Sequence, residues 1–322
     1  MASSPPSGFA EVVVLRVLFC SPADDPVAWR TALQRRLPGL ELVVWPDLGA
    51  PEAIEAALVW LPPPGLLASL PNLRAILSLG AGVDSLLRDP TTPDRPIARM
   101  VDPSMSFAMA EYVLAAVLRY HRDFDRYALR QQRREWRLEL PLPPRDRVIG
   151  ILGIGTLGGA AAAMLVRHGF RVVGWARSPR RLPGVEVVVG ACGLDALLAQ
   201  ADMLVCMLPL TEATEGILSR DLFARVKPGV RLIHVGRGAQ LVEQDLLEAL
   251  GSGRIGGATL DVFATEPLPP DHPFWAHPQI IVTPHAASYS QAETAAEMVA
   301  ENLRRLGRGE ALLHLVDRAR GY

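Results

Sequence analysis

The sequence predicts an α/β protein made of two doubly wound parallel-sheet domains, and three observations carry that prediction. The chain has 322 residues, about twice the length of a typical domain. From Val12 onward, short β-branched runs alternate with segments of helical periodicity, the pattern of parallel strands joined by covering helices. A second such series begins at Val148, after a cluster of breakers at Pro141, Pro143 and Pro144.

The first series reads as strand Val12 to Phe19, helix Val27 to Leu37, and strands Leu42 to Trp45, Leu58 to Leu61 and Ala75 to Leu79. One long amphipathic helix is expected from Ser104 to Trp136, because Met105, Met109, Val113, Val117 and Tyr120 recur at three- and four-residue spacing. The second series predicts six strands: Val148 to Leu152, Arg171 to Trp175, Met203 to Met207, Val230 to Val235, Ala258 to Leu260 and Ile280 to Thr283. Six is the number in a complete doubly wound dinucleotide fold. A last helix is expected from Gln291 to Leu306. Two such domains imply a cleft between them, and domain junctions are preferred ligand sites.

Composition narrows the chemistry. Hydrophobic residues make up 49% and charged residues 21%, as in an ordinary folded globule. Lys and Arg number 33 against 34 Asp and Glu, so no global field favours nucleic acid or an anionic membrane, and a small molecule is the expected partner. The arginines from Arg119 to Arg137 are interleaved with Asp123, Asp125 and Glu135, which suits a solvated helix face or a subunit contact better than a nucleic-acid patch. Lys227 is the only lysine, and Pro228 follows it. That excludes a Gly-Lys-Ser/Thr phosphate loop, a kinase strand lysine, a Tyr-x-x-x-Lys dehydrogenase and Schiff-base catalysis. Cys20, Cys192 and Cys206 show no metal spacing and are expected to be reduced, buried thiols of a cytoplasmic protein. The first residues lack a basic n-region and a cleavage site, so they read as a loose tail rather than a signal peptide.

Directly after the strand ending at Leu152 comes Gly153-Ile-Gly155-Thr156-Leu157-Gly158, followed by an alanine-rich helix former. This is G-x-G-x-x-G between strand and helix, the Rossmann-type dinucleotide fingerprint. Gly153 allows the tight turn, Gly155 lets a pyrophosphate approach, and Gly158 lets helix and strand pack closely. An NAD site would show Asp or Glu at the end of the next strand, to bind the ribose 2′-hydroxyl. Ala176 stands there instead, followed by Arg177, Ser178, Arg180 and Arg181. Planar cations suit a 2′-phosphate, so NADP(H) is the expected cofactor and NAD(H) the secondary one; a solvated basic loop is the alternative.

Three ionisable groups come after apolar strands: Arg237, flanked by Gly236 and Gly238; Glu266, in a Pro-rich segment after Asp261; and His285, after Thr283-Pro284. Doubly wound folds place ligands at carboxyl ends of strands. Each group alone suits an ordinary solvated or paired side chain, but all three can converge.

These residues carry a resemblance. The fingerprint, Arg237-Gly238, Leu260-Asp261-Val-Phe with Glu266-Pro-Leu-Pro, and Thr283-Pro-His285 together resemble the D-isomer-specific 2-hydroxyacid dehydrogenases. Within them the chain is most similar to the glyoxylate/hydroxypyruvate reductase A group, through Ala57-Leu-Val-Trp60, Leu79-Gly-Ala-Gly-Val-Asp84, Met109-Ala-Glu-Tyr112 and the terminal Val316-Asp-Arg-Ala-Arg-Gly-Tyr322. The resemblance implies a triad of Arg237, Glu266 and His285, and cofactor contacts at Leu208, Pro209, Thr214, Val235, Gly236 and Asp261 besides the fingerprint. It implies a discontinuous substrate domain, residues 1–101 plus 287–322, and a dinucleotide-binding domain, residues 102–286. The substrate carboxylate would meet backbone N–H groups of Gly80, Ala81 and Gly82, which could equally be an ordinary strand-to-helix turn. Trp60 would narrow the pocket, unless it is only core. A homodimer through the cofactor domain is expected.

The implied reaction is NADPH-dependent reduction of a small 2-oxoacid such as glyoxylate or hydroxypyruvate, with His285 as general acid beside Glu266 and Arg237 on the carboxylate and carbonyl oxygens. Alternatives are another D-2-hydroxyacid dehydrogenase, or a dinucleotide-sensing interaction protein of the same fold. The chain departs from the pattern at His234, where relatives usually have Asn, and at Glu243, where Asp is common.

Overall fold

The computed structural model describes residues 15–322; Val12 to Val14, where the first strand was expected to begin, and the tail before them lie outside the described residues. The strands are β1 Arg16–Cys20, β2 Glu41–Val44, β3 Ala56–Val59, β4 Ala75–Ser78, β5 Ile97–Ala98, β6 Val148–Leu152, β7 Arg171–Ala176, β8 Val185–Val189, β9 Met203–Cys206, β10 Val230–His234, β11 Ile255–Leu260 and β12 Ile280–Val282. The α-helices are α1 Pro26–Arg36, α2 Asp84–Arg88, α3 Pro103–His121, α4 Phe124–Gln132, α5 Thr156–Arg167, α6 Gly190–Gln200, α7 Arg220–Arg225, α8 Glu243–Gly251 and α9 Ala292–Arg308.

The chain divides into two compact units, one containing the segment up to Asp102 with Ser290–Arg320 and Tyr322, the other Pro103–Tyr289 with Gly321. In the first, five strands pair in the order β2-β1-β3-β4-β5, all parallel. That is the flavodoxin-like order. Every residue of β3 and β4 is buried, as expected when helices cover both faces of a parallel sheet. Asp25 caps α1 by accepting from the Val27 N–H, and Pro26 fits its first turn. The C-terminal helix α9 belongs to this unit. It buries Ala295, Ala296, Val299, Ala300, Leu303 and Leu306 along one stripe, and Arg36 of α1 ties to it through the Glu293 carbonyl and the Glu297 carboxylate. Gly309 ends it in the left-handed conformation.

The second unit holds seven parallel strands in the order β12-β11-β10-β9-β6-β7-β8. From β8 to β11 this is the doubly wound 3-2-1-4-5-6 order, with β12 added beyond, and the strand order reverses between β6 and β9. Sequence reading expected six strands here and missed β8, a partly exposed edge strand whose Val-Glu-Val-Val-Val run has no fully buried residue. In the first unit it missed β5, which has only two residues.

The single helix expected from Ser104 to Trp136 is two. Its predicted inward residues, Met105, Met109, Val113, Val117 and Tyr120, are all buried in α3. The ladder then breaks at Asp123, whose φ of +54° is left-handed, a conformation that Asp tolerates better than most residues. Past the break, Asp125 pairs with Arg231 of β10 at 3.0 Å, and α4 ends at Gln132. The cysteine expectation also needs correction: Cys20 and Cys206 are buried, but Cys192 is exposed. It lies on the outer side of α6, opposite the buried Leu194, Leu197 and Leu198.

Candidate active site

Strands β10, β11 and β12 are adjacent, so their carboxyl ends lie side by side and present Arg237, the Asp261–Glu266 segment and His285 in turn. The Glu266 Oε2 accepts from His285 Nδ1 at 2.8 Å, each side chain remaining about a third exposed. A carboxylate is acceptor-only, so the Nδ1 proton points to Glu266. The Phe263 N–H donates to the other oxygen, Oε1, at 2.9 Å. Burial pushes the Glu266 carboxyl up, but the bonds from His285 and Phe263, with the charges of His285 and Arg237, outweigh it and hold it below the usual glutamate range. Both His285 and Arg237 therefore act on the Glu266 carboxylate.

His285 has a φ of +54°, unusual for a side chain with a Cβ. Asp261 holds it there. The His285 N–H donates to the Asp261 carbonyl at 2.8 Å, while Asp261 Oδ1 accepts from Thr283 Oγ1 at 2.6 Å and the Ala286 N–H at 2.7 Å, and Oδ2 from the Ala287 N–H at 2.9 Å. Tyr112 of α3 bonds Thr283 Oγ1 at 2.6 Å, hydroxyl to hydroxyl. Burial raises the Asp261 carboxyl despite those bonds and the charge of His285, and burial likewise pushes the Tyr112 hydroxyl up to about 12. Thr283 and Tyr112 are site residues that sequence reading did not select.

At the β6 end, Gly153 has a φ of +94°, and a Cβ on Gly158 would stand 2.0 Å from the Gly153 carbonyl oxygen. A Cβ on Gly155 would meet nothing within 4 Å. Open space therefore lies over the first turn of α5, where N–H groups without intrahelical partners favour an anion. Thr156 and Leu157 belong to that turn. Beyond β7 no acid follows Ala176; Arg177, Ser178, Arg180 and Arg181 are exposed, and Arg180 donates to the Ile154 carbonyl inside the glycine loop. Open backbone, a helix N-terminus and clustered guanidinium groups fit a dinucleotide bearing a 2′-phosphate.

The remaining expected cofactor residues form a second loop system. Thr214 Oγ1 donates to the Pro209 carbonyl at 2.6 Å, and Gln240 Nε2 donates to the carbonyls of Leu208 and Pro209, both at 3.1 Å. A Cβ on Gly236 would stand 2.3 Å from Gln240 Oε1, and the Val235 N–H donates to the Cys206 carbonyl at 3.1 Å. Gln240, 0% exposed, was also missed; its only sequence signal is a polar residue three positions after Arg237. In the first unit, a Cβ on Gly80 would lie 2.1 Å from the Trp60 ring, so the ring and the turn of Gly80, Ala81 and Gly82 pack as one feature. The Gly80 N–H already donates to Ser78 Oγ at 3.2 Å.

Residues 114–287 match the D-isomer specific 2-hydroxyacid dehydrogenase, NAD binding domain. Glyoxylate/hydroxypyruvate reductase A of Serratia proteamaculans (strain 568) is 42% identical over 96% of this chain and 100% of its own, and that of Yersinia enterocolitica is 40% identical over the same shares. Among solved structures, a D-isomer specific 2-hydroxyacid dehydrogenase from Xanthobacter autotrophicus Py2 in complex with NADPH and MES superimposes with a TM-score of 0.92 at 42% identity, covering 96% of this chain and 100% of that one. The NADPH-dependent glyoxylate/hydroxypyruvate reductase of Sinorhizobium meliloti in complex with NADP and sulfate has a TM-score of 0.89 at 38% identity, with the same coverage.

Proposed function

The chain belongs to the D-isomer-specific 2-hydroxyacid dehydrogenase family, and from that premise we propose that it is an NADPH-preferring reductase of small 2-oxoacids, glyoxylate and hydroxypyruvate first among them. One observation carries the reading: His285 Nδ1 lies 2.8 Å from Glu266 Oε2, next to Arg237, at the ends of three adjacent strands. Gly153, Gly155, Thr156, Leu157 and Gly158 would hold the pyrophosphate, Arg177, Ser178 and Arg180 the 2′-phosphate, and Leu208, Pro209, Thr214, Val235, Gly236 and Asp261 the rest of the cofactor. When bound, the reduced nicotinamide supplies the hydride.

The side chains supply the remainder of the reaction. Arg237 binds the substrate carboxylate and polarises the carbonyl oxygen, fixing the face presented for reduction. His285 Nε2 gives a proton to the developing alkoxide, and Glu266, accepting from Nδ1, holds the ring in the orientation that presents Nε2. Gly80, Ala81, Gly82 and Trp60 are proposed as further substrate contacts. The homologous reductases act on small acids by name, and the Trp60 ring leaves Gly80 no room for a side chain, which favours a narrow substrate.

A homodimer through the cofactor domain is part of the proposal, supported by the segment after α4, where Trp136 is 104%, Leu138 75% and Leu140 83% exposed, a run of apolar surface that a second copy would cover. A cytoplasmic location is proposed from the three free cysteines; no helix among the described residues is long and apolar enough to cross a membrane. Steady-state rates with NADPH and NADH on glyoxylate, hydroxypyruvate and pyruvate test the reading. It predicts the highest kcat/KM for NADPH with glyoxylate or hydroxypyruvate. Tight NADPH binding without turnover of any 2-oxoacid would point instead to a dinucleotide sensor.

A further inference from the structure

His234 and Gln240 are both 0% exposed, and they grip opposite ends of one residue. The Arg237 N–H donates to Gln240 Oε1 at 2.9 Å, and the Arg237 carbonyl accepts from His234 Nε2 at 2.9 Å. Gln240 is itself fixed, because its amide nitrogen is spent on the Leu208 and Pro209 carbonyls. The next residue packs against the backbone after β11, since a Cβ on Gly238 would stand 1.8 Å from the Phe263 carbonyl carbon. The guanidinium folds back to the Gly236 carbonyl, to which Nη1 donates at 2.8 Å. Arg237 thus leaves a backbone held from both sides.

The His234 ring is wholly buried. It ends β10 after the buried Leu232 and Ile233, and its Nδ1 is buried without a hydrogen-bond partner. A polar atom so placed costs stability that an isoleucine or leucine would not. Burial pushes the His234 pKa down to about 4, although the carbonyls of Arg237 and Cys206 favour the charged ring. The neutral ring carries one proton, and a carbonyl acceptor at Nε2 requires that proton to be there.

We infer that His234, together with Gln240, is a positioning residue that fixes the Arg237 peptide and so the angle at which its guanidinium meets the substrate carboxylate. This rests on the proposed role of Arg237. The bond on the Arg237 carbonyl is what the position provides, so any donor of similar reach should serve and an apolar side chain of similar volume should not.

The test compares His234→Gln, whose amide nitrogen reaches roughly as far as Nε2, with His234→Met, which fills the space without a donor, and with Arg237→Gln, all assayed with NADPH and glyoxylate. His234→Met should lower kcat/KM about 10- to 100-fold, chiefly through KM for glyoxylate, with the NADPH Kd from fluorescence titration within about twofold of wild type. His234→Gln should recover to within about fivefold, and His234→Met should cost less than about twofold once Arg237 is already Gln. Wild-type kcat/KM in His234→Met, alongside a collapsed Arg237→Gln, overturns the clamp and leaves the role of Arg237 standing. Unchanged kcat and KM in Arg237→Gln overturn that role, and the inference with it. Should His234→Met fail to fold, nitrogen NMR on histidine-labelled wild-type protein decides, with the His234 signal assigned by its loss in His234→Gln. A proton on Nε2 supports the clamp, and a proton on Nδ1 overturns it.

Discussion

At the β6–β7 end of the seven-stranded sheet the backbone lies bare: Gly155 has open space where a Cβ would stand, and the arginines beyond β7 project from the surface. At the β10–β12 end of the same rim the backbone is held by buried polar side chains, with Asp261 1% and both His234 and Gln240 0% exposed. The first region accommodates a large anion by leaving N–H groups free and adding positive charge. The second spends its N–H groups internally to place two side chains, Arg237 and His285. A cofactor held by many weak contacts tolerates a compliant site, whereas proton transfer and carboxylate binding need atoms placed to a fraction of an ångström.

Variants should sort by this division. The largest effect is expected at the tightly held end, where His285→Ala should lower kcat at least about 10²-fold and leave the NADPH Kd unchanged; a near-wild-type kcat would remove His285 from the chemistry. His234 should leave its mark on stability against pH. Its folded pKa of about 4 lies below the ordinary histidine value of 6.5, so the unfolded chain binds the extra proton between those values. The stabilisation is therefore complete above pH 6.5 and is lost as pH falls toward 4, up to about 3 kcal/mol in all. Denaturant titrations of wild type and His234→Gln across that range should diverge accordingly, and parallel curves would contradict the buried neutral ring.

At the open end, Ala176→Asp combined with Arg177→Ala should raise the NADPH KM and lower the NADH KM while kcat stays close to wild type, since each charge-assisted hydrogen bond to phosphate is worth roughly 1.5–3 kcal/mol. An unchanged NADPH KM would mean that these side chains do not read the 2′-phosphate. The smallest expected change sharpens the other end again. Asp261→Asn turns an amide NH2 toward a donor that now meets a carboxylate oxygen, which should cost about 1–3 kcal/mol by thermal unfolding and lower kcat as the left-handed His285 backbone relaxes. A loss of NADPH affinity with kcat intact would instead mark Asp261 as a cofactor contact alone.

The same contrast explains what could be read before the structure. The β6 end was legible because local constraints write it: a left-handed turn, an open approach and a tight helix–strand contact each demand glycine at a fixed spacing, and the missing acid at Ala176 is a local feature too. The doubly wound fold followed from strand–helix alternation, whereas a C-terminal helix completing the first domain was an implication of the family resemblance alone. Arg237, Glu266 and His285 stood out because each follows an apolar strand and because the family resemblance joins them as a triad. Their supports did not. Asp261 braces His285 across 24 residues of chain by bonds to Thr283, Ala286 and Ala287, and Gln240 and Tyr112 act through partners that no spacing rule connects to them. β5, β8 and the break at Asp123 were missed for a related reason: a two-residue strand, a half-exposed edge strand and one left-handed residue leave little periodic signal.

A crystal structure of the protein with NADPH and oxalate bound would test the central claim most directly. The account predicts the Arg237 guanidinium on one oxalate carboxylate and His285 Nε2 within about 2.6–3.2 Å of the oxygen standing in for the substrate carbonyl, with Nδ1 still on Glu266. Oxalate bound away from Arg237, or His285 turned so that Nε2 faces solvent, would contradict it.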